Sequence, residues 1–371
     1  MKSILLIALS AVVLLLSACL SSQGKTLATS IKDKFMNEQK TPWETFIFAP
    51  RHYPVELVAG ESFWMYDNGA RIGFTAHANG GWRSAGAQAG GGSMLPDGIN
   101  LTWLSPTEGK YYHVRARIPK EIILREFNRK LSMDIENKLK TEKFKEIHFA
   151  LAPGGFVSMR LGWAQVEEVA QFQAKEVDIS WEYFAEANHF NPEGLSEEKY
   201  LAGFTDKLPE HIQVQRADGT VPYDRWKAFN TQKFPWHLAT TLDLHGYTEF
   251  LINGNMSFIA KPELDLSVYT DKQTVPAWYR IYFKREGKRY RGNIIVTQND
   301  PDQREQPEGD VEIFNIFRQY FAEDKRPAAL VIDIIDGQIV AYLDNGITKR
   351  DLPLYDSDYR VLKDDEYPWF K

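Results

Sequence analysis

The chain contains one cysteine, and its position restricts how the rest of the molecule can be stabilised. Cys19 follows a cation, Lys2, then an apolar run from Ile4 to Leu16 and two small residues, which is the order of segments in an export signal. The apolar run is too short for a transmembrane helix, which needs about 20 residues. With its cysteine at the end of the signal, the folded part has no disulfide. It must be stabilised by packing, for which 10 Trp, 17 Tyr and 22 Phe provide the material.

The residues around the cysteine also predict a location. Leu16-Ser17-Ala18-Cys19 resembles the lipobox of bacterial lipoproteins, in which the signal peptide, here residues 1–18, is removed and the cysteine is acylated, palmitate being one such acyl group. Two or more acyl chains give stable anchoring, because each buried CH2 contributes about 0.8 kcal/mol. Residue 20 is Leu and not the Asp that retains lipoproteins at the inner membrane of enteric-type bacteria. We therefore expect a lipid-anchored protein in the inner leaflet of the outer membrane, facing the periplasm.

Length and charge narrow the classes of function. Removing the 18 residues of the signal leaves 353 of the 371 residues, enough for two ordinary domains or one large one. Residues 19–42 are mostly polar and predict a tether between the lipidated cysteine and a folded part that starts near Trp43. The formal net charge of −6 is spread along the chain, which argues against a nucleic-acid partner and against a polybasic grip on a membrane surface.

Alternating apolar residues predict strands in the first half of the chain, with one helix between them. The period-two alternation covers residues 53–57, 99–103, 112–118, 147–151 and 157–163. After Pro119, apolar residues recur every four positions from Ile123 to Leu139, which predicts a helix over that stretch. A Pro153-Gly154-Gly155 turn separates the last two strands. The predicted order is strand, strand, helix, strand, strand.

The second half repeats this order. Its hairpin motif Glu286-Gly287-Lys288 echoes Glu108-Gly109-Lys110 at a distance of 178 residues, and an apolar helix face near Phe317 precedes two strands joined by Asp336-Gly337. We therefore predict an α+β fold with two similar lobes, each a mainly antiparallel sheet packed with one helix. The predicted division is a first lobe over 43–163, an irregular connecting region over 164–246 and a second lobe over 247–371, with Asn253-Gly254 forming a hairpin near the start of the second lobe.

No catalytic, nucleotide-binding or metal-binding motif is apparent. Gly-x-Ser-x-Gly is absent, and Gly90-Gly91-Gly92-Ser93 is better interpreted as a flexible loop. Neither a dinucleotide-binding nor a P-loop glycine pattern occurs, and no two of the eight histidines have the His-x-x-x-His spacing of a zinc-binding helix. Carboxylates such as Glu167 and Glu168 or Glu182 and Glu186 fit a solvated face better than an acid–base pair. We therefore predict no catalytic residue, no metal site, no cofactor and no enzymatic activity.

The most conspicuous polar feature is a basic hairpin, residues 284–291, at a predicted turn. Its five cations are Lys284, Arg285, Lys288, Arg289 and Arg291. Arginine and lysine at an exposed tip suit recognition of carboxylates or phosphates on a partner, which makes these residues candidates for partner binding. The alternative is that the charges keep the tip soluble. In either case we expect them to contribute little to folding stability.

Several short signatures, taken in order, resemble a family of Gram-negative lipoproteins that is classified as a domain of unknown function. They are Tyr53-Pro54-Val55-Glu56, Leu95-Pro96, Trp103-Leu104-Ser105, Glu108 with Tyr111-Tyr112, Ala152-Pro153-Gly154-Gly155, Pro222-Tyr223 with Trp226, and Phe234-Pro235-Trp236. The resemblance implies no catalytic residue. It does imply that some relatives are periplasmic immunity proteins for type VI secretion phospholipase effectors.

Three hypotheses follow. The first is a non-enzymatic binding lipoprotein whose partner is a protein, such as a secreted lipase-type effector that must be neutralised in the periplasm. The second is an envelope-maintenance protein that holds a lipid or glycan in a cleft. The third is a hydrolase whose site is assembled from distant residues. A neighbouring effector gene would favour the first.

Overall fold

Strands dominate the architecture, which is described here from a computed structural model for residues 42–83, 86–266, 272–298 and 307–370. A large unit lies within Trp43–Gly91 and Pro96–Lys371, and a small one contributes Pro42 and Gly92–Leu95 to the described residues. The predictions for the signal, Cys19 and almost all of the tether concern residues 1–41, which lie outside the described residues. No described helix is long and apolar enough to cross a membrane.

The secondary structure mixes short helices with many strands. The helices are α1 (Lys120–Asn128), α2 (Trp181–Ala187), α3 (Glu197–Thr205), α4 (Glu210–Ala217), α5 (Arg225–Thr231) and α6 (Pro307–Glu323). The strands up to the middle of the chain are β1 (Trp43–Phe48), β2 (Val55–Leu57), β3 (Phe63–Met65), β4 (Arg71–Gly73), β5 (His77–Ala78), β6 (Ala87–Gly92), β7 (Gly98–Ser105), β8 (Lys110–Arg117), β9 (Leu131–Ile135), β10 (Lys138–Glu142), β11 (Glu146–Ala152), β12 (Phe156–Gly162), β13 (Glu167–Gln173) and β14 (Lys175–Val177). The later strands are β15 (Trp236–Ala239), β16 (Asp243–Leu251), β17 (Met256–Ala260), β18 (Pro276–Arg285), β19 (Lys288–Ile295), β20 (Ala328–Ile335), β21 (Gln338–Asp344), β22 (Lys349–Asp351) and β23 (Asp358–Val361).

Most strand pairs are antiparallel, which confirms the predicted α+β class with mainly antiparallel sheet. The first half forms a five-stranded sheet in the order β13-β12-β11-β1-β6, a seven-stranded sheet around β14-β8-β7-β2-β5 and the hairpin β10-β9. The second half forms a four-stranded sheet in the order β15-β20-β21-β22 and a five-stranded sheet in the order β17-β16-β18-β19-β23. Two pairs are parallel, β1 with β11 and β15 with β20.

One large hydrophobic core extends through both halves. It includes Trp82 and Phe156 from the first half, Trp226 from α5, Trp236 from β15 and Phe317 from α6, each no more than 3% exposed. Because this core is continuous, the predicted division into two separate lobes is not confirmed. The range 164–246, expected to be irregular, contains β13, β14, β15, the start of β16 and helices α2 to α5.

The helix predicted from Ile123 to Leu139 is wrong over its second half. Helix α1 ends at Asn128, and the residues after it form the β9–β10 hairpin. A spacing of four residues fits a helical face, but it is also a multiple of two, so it fits one face of a strand equally well. Glu136 and Asn137 decide between the two, because both adopt positive φ, 53° and 65°, as a two-residue hairpin turn requires.

Other local predictions are confirmed. The Glu108-Gly109, Glu286-Gly287 and Asp336-Gly337 pairs each lie between paired antiparallel strands, and Asn253-Gly254 lies between β16 and β17. Asp336 and Gly337 have φ of 51° and 80°, the left-handed backbone that a tight hairpin turn needs. The predicted apolar face of α6 is buried, with Ile313, Phe317 and Tyr320 at most 1% exposed.

Candidate functional site

A buried carboxylate connects several of the signature residues. The Ser105 hydroxyl donates to Glu108 Oε2 at 2.6 Å, the Tyr112 hydroxyl donates to Oε1 at 2.6 Å, and the Gly154 N–H donates to Oε1 at 3.1 Å. Burial raises the pKa of Glu108, although these three hydrogen bonds oppose the shift. The carboxylate thus holds the β7–β8 turn against the loop before β12.

The glycines of that loop allow close packing. A Cβ on Gly154 would lie 3.1 Å from the Tyr223 ring, and one on Gly155 would lie 2.9 Å from the Tyr112 ring. Both have positive φ, 74° and 78°. Two glycines are needed here because the backbone is left-handed and aromatic rings cover it. The signature around Glu108 and Gly154 is therefore explained by packing and hydrogen bonding within the fold.

A polar cavity of about 360 Å³ brings together residue types that the hydrolase hypothesis requires. Its lining includes Glu61, Thr102, His113, Asp178, Ser180 and Tyr183. His113 Nδ1 is hydrogen-bonded to Thr102 Oγ1 at 2.9 Å, while Ser180 Oγ accepts from the Tyr183 N–H at 3.2 Å and caps α2. Within the described residues, no hydrogen bond joins Ser180 to His113 or His113 to Asp178. The cavity offers space for a ligand but lacks the nucleophile–base contact that nucleophilic catalysis uses.

The basic hairpin forms as predicted, at the tip of β18 and β19. Lys288 is exposed, Lys284 is half-buried, and Arg285 Nε lies 3.5 Å from the Glu286 carboxylate. Arg289 is used differently. Its guanidinium donates to five main-chain carbonyls of the C-terminal segment, residues 363–370, at 2.7–3.1 Å.

Arg291 also binds the C-terminal segment. Its Nη1 donates to the Tyr367 hydroxyl at 3.0 Å, and Tyr367 packs on Tyr282 with ring centroids 4.9 Å apart. Two of the five predicted partner-binding cations therefore make internal contacts that hold the C-terminal segment on β18 and β19. The expectation that all five charges contribute little to folding assumed exposed side chains, and Arg289 does not meet that condition because the backbone engages its donors. Lys284, Arg285 and Lys288 remain as the part of the hairpin that can meet a partner.

Two buried titratable groups lie outside these sites. Burial raises the pKa of Glu249 to about 7, and its Oε1 accepts from the Tyr279 hydroxyl at 2.6 Å. Burial lowers the pKa of His148, whose Nε2 lies 2.6 Å from Glu146 Oε2. The described residues contain no group of three or more His, Cys, Asp or Glu side chains that could hold a metal ion.

Comparison with known proteins places the chain in one family. No curated protein and no solved structure gives a significant match. A family profile described as "Protein of unknown function (DUF2931)" matches residues 27–224, which is more than half of the 371 residues. The matched range contains most of the signatures that indicated an uncharacterised family, including the residues around Glu108 and Gly154. The chain therefore belongs to the DUF2931 family.

Proposed function

We propose that the chain is a periplasm-facing lipoprotein, anchored through acyl chains on Cys19 to the inner leaflet of the outer membrane. There it acts as a non-enzymatic binding protein for a protein partner. The partner we propose is a secreted lipase-type effector, which the lipoprotein neutralises where the effector acts.

The observation that carries the proposal is the sequence from Lys2 to Cys19. A single cation, a 13-residue apolar run from Ile4 to Leu16 and Ser17-Ala18-Cys19 make one coherent export and acylation signal, and the chain has no other cysteine. The polar residues that follow, up to Pro42, are long enough to separate an anchored cysteine from the first strand. The effector as partner comes from the family resemblance.

The part of the basic hairpin that does not bind the C-terminal segment supports partner binding by electrostatic attraction. Lys284, Arg285 and Lys288 lie at one turn of a protein whose net charge is −6. Such a local field attracts an acidic partner and raises the association rate more than it lowers the dissociation rate. The proposal therefore expects association to depend on ionic strength.

The anchor is tested by Cys19→Ser in cells supplied with a fatty-acid probe that can be detected after gel separation. Wild-type protein should carry the probe and sediment with outer-membrane fragments. The variant should carry no probe and leave the membrane fraction. Probe on the variant would contradict acylation at Cys19.

The binding function is tested with an effector encoded next to this chain. The mature lipoprotein should bind it one-to-one and protect cells that direct the effector to the periplasm. Lys288→Glu should slow association, whereas Lys138→Glu, an exposed charge on β10, should not. Survival of the cells without binding of the effector would indicate an enzyme. So would one folded but wholly inactive variant in a scan of the eight histidines and Ser93, because removing a single catalytic group lowers the activity of an enzyme steeply.

We also propose that the two halves are repeats of one strand-strand-helix-strand-strand unit. What supports this is the equivalent pairing of elements. The β7–β8 hairpin, α1 and the β11–β12 hairpin have counterparts in β18–β19, α6 and β20–β21, and each second hairpin has a parallel neighbour, β1 or β15. A sequence profile of 43–177 should align with 236–361 hairpin to hairpin, and alignment no better than with shuffled sequences would contradict the duplication.

A further inference from the structure

A cavity of about 280 Å³ opens where α6 ends beside the start of β15. Its lining is Lys233, Phe234, Pro235, Lys272, Arg318, Phe321, Ala322 and Lys325. We call it the cationic pocket. It includes two residues of the Phe234-Pro235-Trp236 signature, and it is distinct from the basic hairpin, none of whose five cations lines it.

All four charged groups of the cationic pocket are positive. Lys233, Lys272, Arg318 and Lys325 are exposed, and none of them forms an ion pair with a carboxylate in the described part of the chain. The Glu168 carboxylate acts on Lys233 electrostatically, but it is not part of the lining. Like charges held together without a counter-charge repel each other, so an anion placed among them is attracted by all four.

The wall of the pocket is apolar. Phe234 and Phe321 are each 7% exposed, and their rings stack with centroids 5.6 Å apart and planes 23° apart. Pro235 and Ala322 complete this wall. The rings are fixed by further contacts of Phe234 with Phe314 and Phe317 in α6. The pocket therefore offers an apolar surface, held by ring contacts, beside four exposed cations.

We propose that the cationic pocket binds an acidic segment of a protein partner, with a carboxylate among the cations and an adjoining apolar side chain against Phe234 and Phe321. The lining favours this occupant, because its cations attract a carboxylate while Phe234 and Phe321 beside them suit an apolar side chain, and an acidic peptide segment supplies both groups. Aromatic and arginine side chains are also enriched among the residues that anchor protein interfaces. The inference rests on the proposed protein-binding function and names the chemistry of the partner.

The test uses the mature chain in a non-ionic detergent and a library of fluorescent peptides in which two Asp or Glu residues flank each apolar amino acid in turn. Binding is followed by anisotropy at ionic strengths of about 20 and 150 mM, which bracket weak and physiological screening. The pocket variant carries Arg318→Glu and Lys325→Glu. Its matched control carries Lys138→Glu and Lys143→Glu, two exposed cations on or next to β10, so the net charge is the same.

We expect at least one acidic peptide to bind with salt-dependent affinity. The pocket variant should weaken that binding by about tenfold or more, the range that a few reversed charges can produce, while the control variant should leave it unchanged. Equal binding by the pocket variant and the control would overturn the proposal. So would a library without any salt-dependent binder.

A membrane occupant is distinguished by vesicles of phosphatidylglycerol and phosphatidylcholine, mixed without detergent with a chain that begins at Leu20 and so has no acyl chains of its own. Vesicle binding that the pocket variant abolishes, in the absence of peptide binding, would replace the acidic segment with a lipid headgroup. An effector that binds the wild type and the pocket variant equally well would overturn the role of the pocket and leave the proposed function standing. Peptide binding without any effector binding would support the pocket as a site for acidic segments and contradict the proposed effector as partner.

Discussion

Replacing Arg289 with Ala should loosen the C-terminal segment without unfolding the sheets. One guanidinium binds five carbonyls, those of Lys363, Asp364, Glu366, Tyr367 and Phe370. The segment also buries side chains against β17 and β18, in a cluster made by Phe258, Ala260, Tyr282, Leu362, Tyr367 and Phe370. The packing remains in the variant, but its main-chain clamp is lost.

The expected loss of stability in Arg289→Ala depends on which of the five carbonyls are shielded from water. The bonds to Lys363 and Asp364 are exposed, so water replaces the donor at little cost, whereas those to Glu366, Tyr367 and Phe370 are partly buried. All three partly buried carbonyls accept from Nη1, which has two hydrogens, so they count as two full hydrogen bonds. At about 0.5–1.5 kcal/mol for each, Arg289→Ala should lower the free energy of unfolding by about 1–3 kcal/mol. Lysine has the charge but not the planar fork of donors, so Arg289→Lys should recover only part of the loss.

Chemical denaturation and amide hydrogen exchange measure the two parts of this prediction. The variant should lose protection first at the amides of Glu366 and Phe370, which donate to the Lys363 and Tyr367 carbonyls within the segment, while protection in β20 is unchanged. The control is Lys288→Ala, the exposed neighbour at the same hairpin. If Arg289→Ala and Lys288→Ala unfold at the same denaturant concentration with the same exchange at Phe370, the clamp has no energetic role and the reasoning fails.

Three further predictions concern buried groups. The pKa of Glu249 in the folded protein, about 7, is above that of the unfolded chain, so the folded state holds an extra proton between about pH 4.5 and 7. The free energy of unfolding should therefore fall as pH rises through this window, by up to about 3 kcal/mol. Glu249→Gln should remove the slope in urea titrations run across this window, and an unchanged slope would rule out the assignment. Burial lowers the pKa of His148 in the folded protein, so the free energy of unfolding should decrease as pH falls below 6.5, the value of the unfolded chain. His148→Gln should reduce this decrease in urea titrations at acidic pH. Gly254→Ala places a Cβ 2.2 Å from Arg160 Nη1 at a φ of +89°. Gly287→Ala also meets a positive φ but has open space around the Cβ, so Gly254→Ala should destabilise the protein by at least about 1 kcal/mol more. Equal shifts in melting temperature for the two variants would contradict this.

Local signals in the sequence were sufficient for the hairpins and for α6. Turn pairs such as Asp336-Gly337 favour a hairpin through the backbone preference of the turn residues themselves, so the signal is contained in a few neighbouring residues. The apolar face of α6 is defined by Ile313, Phe317 and Tyr320, whose spacing fits a helix and not a strand. The proposed export signal and acylation at Cys19 likewise rest on sequence alone, since such signals are expected to be recognised in an extended chain.

Other features depended on the tertiary structure, because the local sequence pattern was ambiguous or carried no signal for them. The residues from Leu131 to Leu139 have a spacing that fits both a helix and a strand, and pairing of β9 with β10 selected the strand. Arg289 resembles any exposed cation in sequence, and only the path of a segment more than 70 residues later turns it into a clamp. Of the charged residues of the cationic pocket, Arg318 lies on α6 and Lys325 lies two residues after its end, so the helical period alone does not bring this pair together. The other half of the pocket comes from Lys233 and Lys272, which lie distant in sequence and meet only through folding, because contacts between such residues are set by sheet pairing and core packing.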